Sequence, residues 1–445
     1  MNHTLLSRSL AILWLVLLTV PAAGAATPAA TLHLTLQQVI GAALADNPRL
    51  QAATHRSAAA EREAAAAARQ RWGRLTAVAW ASRYQDDQLL RPMAEELLSG
   101  GFAALPWNRD QFHYGLTYRL PLFLGGKLDA HIALAHLAAD QAQALLAGTR
   151  WQVRFNAVSL YASAQTLDTV LTALDRQIAA LTRTRDELDL AVRSGKRPEV
   201  DRLKVVAALE DARARREQVA ANRARVGALL LAVMGREENA AVTVEPLPTV
   251  LPDTAVTTAD LLPLLEETSP VCDARLAVRR ADARKKLARA EFLPSLTVGA
   301  NVMEHTADNV DGPLQTWELR AGVTLPLFTG GARFAALAAA REGRYAADQR
   351  LRGVRLQQRA ALTEAVAGYR AARARVTAAD SAAAAAREAA RIEQIRYDTG
   401  AGDVEDLLAA RAREAGALAA RAQARGDLLT AAARINATVE KEVIR

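Results

Sequence analysis

Two aspartates occupy equivalent places in two related phrases of this 445-residue chain. Asp201 lies in "SGKRPEVDRL" and Asp406 lies in "TGAGDVEDLL", and each aspartate follows a glycine by six residues. Carboxylates at such positions can attract cations, or they can stabilise the start of a helix through its dipole. The residues alone leave both interpretations open.

The other reactive residue types are too scattered to form an active site. His131 and His136 are five residues apart and do not share a helix face, and no histidine cluster has metal-ligand spacing. Cys272 is the only cysteine, which excludes an intrachain disulfide, and its surroundings mark no nucleophile. No Walker, Rossmann or G-x-S-x-G pattern occurs in a usable context. The sequence therefore predicts no enzyme, no cofactor and no metal site.

The composition favours long helices over a thick globular core. Hydrophobic residues make up 51% of the chain and aromatic residues only 4%. Many of the hydrophobic residues are alanines, which favour helix but bury little area. The net charge is +8, but arginines alternate with acidic residues along helical runs such as "EDARARREQ" (210–218). Solvated helix faces are thus favoured over a nucleic-acid-binding coiled coil, and no nucleic-acid partner is predicted.

The N-terminus has the parts of a secretory signal peptide, which we place at 1–25. Arg8 precedes a short apolar run at 10–20, and Ala23 and Ala25 fit the small-residue cleavage rule. The run is shorter than the roughly 20 residues that span a bilayer. No cysteine follows it, so N-terminal lipidation is not expected. No later segment is predicted to be a transmembrane helix, so a membrane-spanning part would have to be a β-barrel.

The chain is internally duplicated with an offset of 205 residues. The phrase "LPLFLGGKLDA" (120–130) recurs as "LPLFTGGARFA" (325–335), and Gly195 and Gly400 have the same offset. The predicted divisions are a first structural repeat at 26–235, a proline-rich linker at 236–260 and a second structural repeat at 261–440.

A β-hairpin is predicted in each repeat, at about 73–122 and about 294–326. Apolar and polar residues alternate there, which is typical of strands with one apolar face. Irregular segments at 86–110 and 306–314 are predicted to be the hairpin loops. Strands of about ten residues can cross a bilayer, but four of them are too few to close a barrel. A barrel therefore requires several chains.

A long helical hairpin follows each β-hairpin, at 126–235 and 331–440. Proline is absent from the first arm of each over roughly 65 residues, which at about 1.5 Å per residue gives a rod of about 100 Å. Left-handed glycines are predicted to reverse the chain between the two arms. Asn47-Pro48 and Ser269-Pro270 are predicted to cap and start the helix before each β-hairpin.

This arrangement resembles the TolC-like outer-membrane efflux proteins. The resemblance covers nearly the whole mature chain and rests on two "LPLFxGG" phrases, two glycine-x5-aspartate turns, the "NPRL" and "SPVCDARL" helix starts and the "LPSL" strand entry. It implies an α+β membrane protein that forms a homotrimer, with a twelve-stranded barrel in outer-membrane lipid of a Gram-negative bacterium and a periplasmic α-helical tunnel. The implied partners are a periplasmic adaptor (membrane fusion) protein and an inner-membrane pump of the RND, ABC or MFS type. The implied function is an exit duct for efflux or secretion.

The resemblance also implies a periplasmic gate at the tips of the helical hairpins. Tyr397, Asp406 and Asp201 match positions of the family's gate, whereas Gly402 and Ala409 stand where some members have an arginine and a second aspartate. The closed state is therefore expected to be held differently here. The expected adaptor contacts are Arg193, Ser194, Gly195 and Lys196 in one turn and Asp398, Thr399, Gly400, Ala401 and Gly402 in the other. The expected strand-to-helix junctions, where proline should end the strand ladder and glycine should redirect the chain, are Pro121, Gly125, Gly126, Pro326, Gly330 and Gly331.

The alternative is a secreted coiled-coil protein that is not a channel, such as a periplasmic adaptor or a structural fibre. Such proteins also combine a signal peptide with long helical hairpins. They lack two amphipathic β-hairpins that end in "LPLFxGG", and the duct is therefore the favoured interpretation.

Overall fold

The computed structural model describes residues 31–95, 101, 105–237, 240–246, 256–308 and 310–444. The predicted signal peptide lies outside the described residues, as does part of the predicted linker. The helices are α1 (Leu36–Asp46), α2 (Pro48–Arg69), α3 (Lys127–Arg193), α4 (Glu199–Val233), α5 (Thr258–Leu261), α6 (Ser269–Ala290), α7 (Ala332–Asp398) and α8 (Val404–Val439). The strands are β1 (Thr31–Leu34), β2 (Arg74–Leu89), β3 (Trp107–Phe123), β4 (Ala241–Val244), β5 (Ser295–Thr306) and β6 (Leu314–Thr324).

Two long helical hairpins dominate the molecule. The first arms, α3 and α7, have 67 residues each, which corresponds to about 100 Å. α3 packs against α4 and α7 packs against α8, and α3 also packs against α8 of the other repeat. Alanine is the most frequent buried residue on these four helices, and its small side chain lets them lie close together.

The two β-hairpins join into one antiparallel sheet with the strand order β2-β3-β5-β6. The join is the β3–β5 pair, so β2 and β6 form the two edges. The strands of the first hairpin are longer than predicted, and residues 90–106 connect them rather than 86–110. The register shifts between Arg83 and Gln88: residues 84–87 have no partner on β3, and pairing resumes at Gln88 opposite Asn108.

The register assigns every side chain of the sheet to one of two faces. Tyr114, Leu116 and Tyr118 of β3 lie on the apolar face, because their partners are residues such as Val302 of β5. In β2 the apolar face is formed by Leu75 and three alanines, whereas Trp80 lies opposite His113 on the polar face. The sequence of β2 alone does not reveal which of its faces is apolar, because its bulkiest residue, Trp80, lies on the face where the neighbouring strands carry polar side chains.

The strand ladder was expected to end at the first proline, Pro121, but it does not. β3 continues through Pro121 to Phe123, with an irregular register between these residues. Proline lacks an N–H donor, so the ladder shifts at this point instead of stopping. In the second repeat β6 ends at Thr324, before Pro326.

A second, small sheet lies where the two ends of the first repeat meet. β4, inside the predicted linker, pairs in parallel with β1. The hydroxyl of Tyr161 on α3 donates to the Glu245 carbonyl (2.8 Å) and the Leu34 carbonyl (3.3 Å), just beyond these strands. Val39 and Leu230 are fully buried beneath them. These contacts attach the N-terminal segment and the linker to the middle of α3.

The two predicted helix caps differ. Asn47 caps α2 as predicted, because its side-chain oxygen accepts from the Arg49 and Leu50 amides. Ser269 is not a cap: it is the first residue of α6, and Thr268 precedes it without a side-chain capping bond. The Glu440 carboxylate, beyond the end of α8, accepts from the Ser269 amide and hydroxyl instead. The C-terminal segment thus replaces the missing cap.

Candidate functional site at the helix-hairpin tips

The first tip, between α3 and α4, is a short turn closed by backbone hydrogen bonds. The Gly195 amide donates to the Val192 carbonyl (2.9 Å) and the Lys196 amide donates to the Ala191 carbonyl (2.9 Å). Gly195 has a φ of 74°, a left-handed conformation in which a side chain would be strained. The predicted left-handed turn is therefore present, and the side chains of Arg193, Ser194 and Lys196 are exposed around it.

The second tip, between α7 and α8, has the same form. Gly400 has a φ of 77°, and the amides of Ala401 and Gly402 both donate to the Arg396 carbonyl. A Cβ atom at Gly402 would lie 3.1 Å from the Tyr397 amide nitrogen and 3.0 Å from the Arg396 Cβ. A residue larger than glycine would have to displace these atoms. Glycine therefore fits this position without such a displacement.

Two contacts connect the tip of one hairpin to the tip of the other. The Lys204 ammonium near the start of α4 lies 2.7 Å from the Glu405 carboxylate near the start of α8. The Arg197 guanidinium lies over the ring of Tyr397, 5.2 Å from its centroid. Ion pairs and cation–π contacts of this exposed kind each contribute at most about 1 kcal/mol. The two hairpins of one chain are thus joined at their ends by weak polar contacts.

A small apolar cluster lies behind these polar contacts. Val404, the first residue of α8, is completely buried against Leu188 of α3 and Val205 and Leu209 of α4. Tyr397 packs at the edge of the same cluster. The second hairpin therefore inserts one side chain into the first hairpin, and the polar contacts form the rim of this interface.

The structure separates the two aspartates predicted at the gate. Asp201 is only 7% exposed and lies close enough to Tyr397 to affect its ionisation. Burial raises the pKa of the Tyr397 phenol, the Arg197 guanidinium opposes this shift, and the Asp201 carboxylate adds to it. Asp406 is exposed in the first turn of α8. Tyr397 and Asp201 thus form one cluster, which Asp406 does not join.

Sequence analysis missed Arg197, Lys204, Val404 and Glu405. These residues occur in the tip phrases, but their role depends on how the two hairpins meet. One signal was available, because Arg197 is 205 residues before Gly402. An arginine at this position of the motif is present in the first repeat and missing from the second.

The strand-to-helix junctions contain consecutive left-handed glycines. Gly125 and Gly126 have φ values of 63° and 85°, and Gly330 and Gly331 have values of 59° and 83°. A Cβ atom at Gly125 would lie 2.8 Å from the Leu293 Cβ, so close packing also requires glycine there. These pairs redirect the chain from β3 into α3 and from the segment after β6 into α7.

A pair of buried histidines is a second cluster that sequence analysis did not find. The Nδ1 atoms of His113 on β3 and His305 on β5 are 2.7 Å apart on the polar face of the sheet. His305 Nε2 is 2.8 Å from the Thr316 hydroxyl. Within the described residues, no group of three or more His, Cys, Asp or Glu side chains is placed to hold a metal ion.

The comparisons with known proteins agree on one family. The family model described as outer membrane efflux protein matches residues 39–236 and 264–439, which is most of the chain. The chain belongs to the outer membrane efflux protein family. Proteins of this family are efflux channels of the outer membrane, transport ducts rather than enzymes. No curated protein sequence matches the chain at a significant level.

Solved structures show the same fold at low sequence identity. The outer membrane protein VceC from Vibrio cholerae is 20% identical with a TM-score of 0.75, over 91% of this chain and 96% of that one. The outer membrane channel CmeC of Campylobacter jejuni is 17% identical with a TM-score of 0.78, over 92% and 86%. The open state of the MtrE outer membrane channel of Neisseria gonorrhoeae is 21% identical with a TM-score of 0.73, over 92% and 89%. Among the described residues, no helix is long and apolar enough to cross a membrane.

Proposed function

We propose that three copies of this efflux protein assemble into one duct, with a twelve-stranded barrel in the outer membrane and a helical tunnel in the periplasm. The sheet supports this assembly because its two edge strands, β2 and β6, are long and each lacks a partner strand on its outer side within the described chain. Exposed edges of this kind pair readily with another copy. Three four-stranded sheets joined edge to edge give twelve strands.

The distribution of exposed apolar side chains is the observation that carries the proposal. Trp317 is 78% exposed, Leu319 70% and Val323 71%, and all three lie on the apolar face at the β6 edge. Water would strongly disfavour such a surface on a monomeric sheet, whereas lipid accepts it. The other face presents polar side chains, which suits a water-filled lumen.

We further propose that the contacts between the hairpin tips hold the tunnel closed. The Lys204–Glu405 pair and the Arg197–Tyr397 contact keep the two hairpins of each chain together, and opening requires them to separate. Their weakness suits a gate, because a docked partner can replace them at a small cost in free energy. They take the place of the arginine that is missing at Gly402.

The exposed turns are the proposed docking surface for a periplasmic adaptor linked to an inner-membrane pump. Residues 193–196 of one turn and 398–401 of the other are exposed at the ends of helices about 100 Å long, and Gly402 beside them is half-buried. Asp406, exposed in the first turn of α8, would contribute three carboxylates around the axis of a trimer and attract cations there. The predicted N-terminal secretory signal belongs to the same proposal.

The assembly is tested by purifying the full chain from outer membranes. The expected results are a trimer that resists dissociation in detergent on an unheated gel and single-channel conductance in planar bilayers. A monomer without conductance would refute the duct and would favour the alternative of a secreted coiled-coil protein.

A further inference from the structure

Three arginines occupy a single row across the polar face of the sheet. Arg74 on β2 lies opposite Arg119 on β3, Arg119 lies opposite Gly299 on β5, and Gly299 lies opposite Arg320 on β6. Residues opposite one another share a face, so all three side chains extend to the side that also carries Thr117. Each of the three is exposed.

The charge of this row is poorly compensated. Arg320 pairs with Glu318, the single acidic residue in the next row of the polar face. Within the described part of the chain, neither Arg74 nor Arg119 makes a salt bridge. Arg74 and Arg119 also face each other directly, although like charges in opposed positions destabilise a sheet. A sequence that keeps such a pair breaks a local rule of sheet stability, and violations of this kind mark functional sites.

The row has a gap that an anion could enter. Gly299 stands between Arg119 and Arg320, and a Cβ atom there would find its nearest neighbour, the Tyr118 carbonyl oxygen, at 3.6 Å. Arg119 and Arg320 are two strands apart, which corresponds to roughly 10 Å. Two guanidinium groups at this spacing can reach one carboxylate or phosphate from both sides, and each can donate two hydrogen bonds to it.

We propose that this row forms an arginine ring that selects anionic solutes, those with carboxylate or phosphate groups, as they pass from the tunnel into the barrel. The proposal rests on the trimeric duct proposed above, in which three copies would place nine arginines around the lumen. Arg74 is the first residue of β2, so the ring lies at the end of the sheet nearest the helices. Rings of basic side chains favour anions in pores because they lower the electrostatic barrier to entry.

The ring is tested in planar bilayers with the full-length trimer under a tenfold KCl gradient. In the triple variant Arg74→Gln, Arg119→Gln, Arg320→Gln, the chloride-to-potassium permeability ratio should fall at least about threefold. Inorganic pyrophosphate should block the unaltered channel, and half-block of the variant should need about tenfold more. Arg83→Gln is the matched control, because Arg83 lies on β2 with its side chain opposite Asp110 and outside the row. It should leave both measurements unchanged.

A second variant tests where the anion lies. Gly299→Val adds no charge and keeps an ordinary backbone conformation, but it fills the gap between Arg119 and Arg320. It should weaken the pyrophosphate block and leave the reversal potential nearly unchanged.

Conducting triple-variant trimers with unaltered selectivity and block would overturn the ring. An unaltered block in Gly299→Val would overturn the placement over this residue. Failure of the unaltered protein to form conducting trimers would instead refute the duct, and the ring with it.

Discussion

Reversing the charges of the pair that joins the two tips should open the channel. The Lys204 ammonium now lies 2.7 Å from the Glu405 carboxylate, and Lys204→Glu replaces it with a second carboxylate, which turns the attraction into a repulsion. Glu405→Lys does the same with two cations. The double variant Lys204→Glu, Glu405→Lys restores an attractive pair with the opposite polarity. We therefore expect each single variant to favour the open state and the double variant to return towards the closed state.

The size of the effect follows from the exposure of the pair. The Lys204 and Glu405 side chains are 40% and 70% exposed, so solvent screens the pair and its contribution is about 0.2 to 1 kcal/mol per chain. If three copies open together, the single variants should shift the equilibrium between the closed and open states by about 0.6 to 3 kcal/mol, roughly 3-fold to 150-fold. The shift should shrink at high salt, because salt screens exposed charges.

Single-channel recording gives the open probability directly. Lys127→Glu is the control, because Lys127 is about as exposed as Lys204 and forms a 2.9 Å pair with Glu291 at the opposite end of the long helices. It should leave gating unchanged. The reasoning fails if the change in the free energy of opening in the double variant equals the sum of the changes in the two single variants, since the pair would then make no specific contribution to closure.

Three other changes test the tip and the C-terminal segment. Gly400→Pro should abolish efflux and leave trimers intact, because a φ of 77° is inaccessible to proline. The control Gly343→Ala within α7 should keep normal efflux. Efflux assays measure transport, and unheated gels show whether the trimers persist. Asp406→Ala should weaken block by multivalent cations in bilayers, and unaltered block would exclude a gate role for this carboxylate. Burial raises the pKa of the Glu440 carboxyl, although hydrogen bonds from Ser269 oppose this, so the folded state binds the proton more tightly than the unfolded state. The stability that this group contributes is present below the ordinary carboxyl pKa and is lost as pH rises through the raised value. Glu440→Gln should therefore make the melting temperature depend less on pH. An equal pH dependence of the melting temperature in the two proteins would contradict this prediction.

The long helices and the strands could be predicted because their signals are local. Alanine-rich runs without proline indicate helices, alternation indicates strands, and the glycines at 195 and 400 have the predicted left-handed conformation. Contacts between distant segments could not be predicted in this way. β1 and β4 have four residues each and pair across about two hundred residues, so neither has a recognisable pattern of its own.

The side-chain clusters could not be predicted because they depend on register. His113 and His305 meet only because β3 pairs with β5, and one residue of slippage would place them on opposite faces. The same applies to the row of Arg74, Arg119 and Arg320, which spans three strand pairings. A single sequence contains the members of such clusters but not the alignment that joins them.

The duplication itself explains why the two tips differ. Residues that meet at the tips are matched, 205 positions away, by residues that cannot repeat the contact: Arg197 by Gly402, Tyr397 by Val192, Lys204 by Ala409 and Glu405 by Val200. Two identical hairpins would present the same charges to each other, and like charges repel. An attractive contact between repeats therefore requires that one repeat carry the cations and the other carry their acceptors. At the tips, the residues that depart from the repeat are thus the ones that connect its two halves.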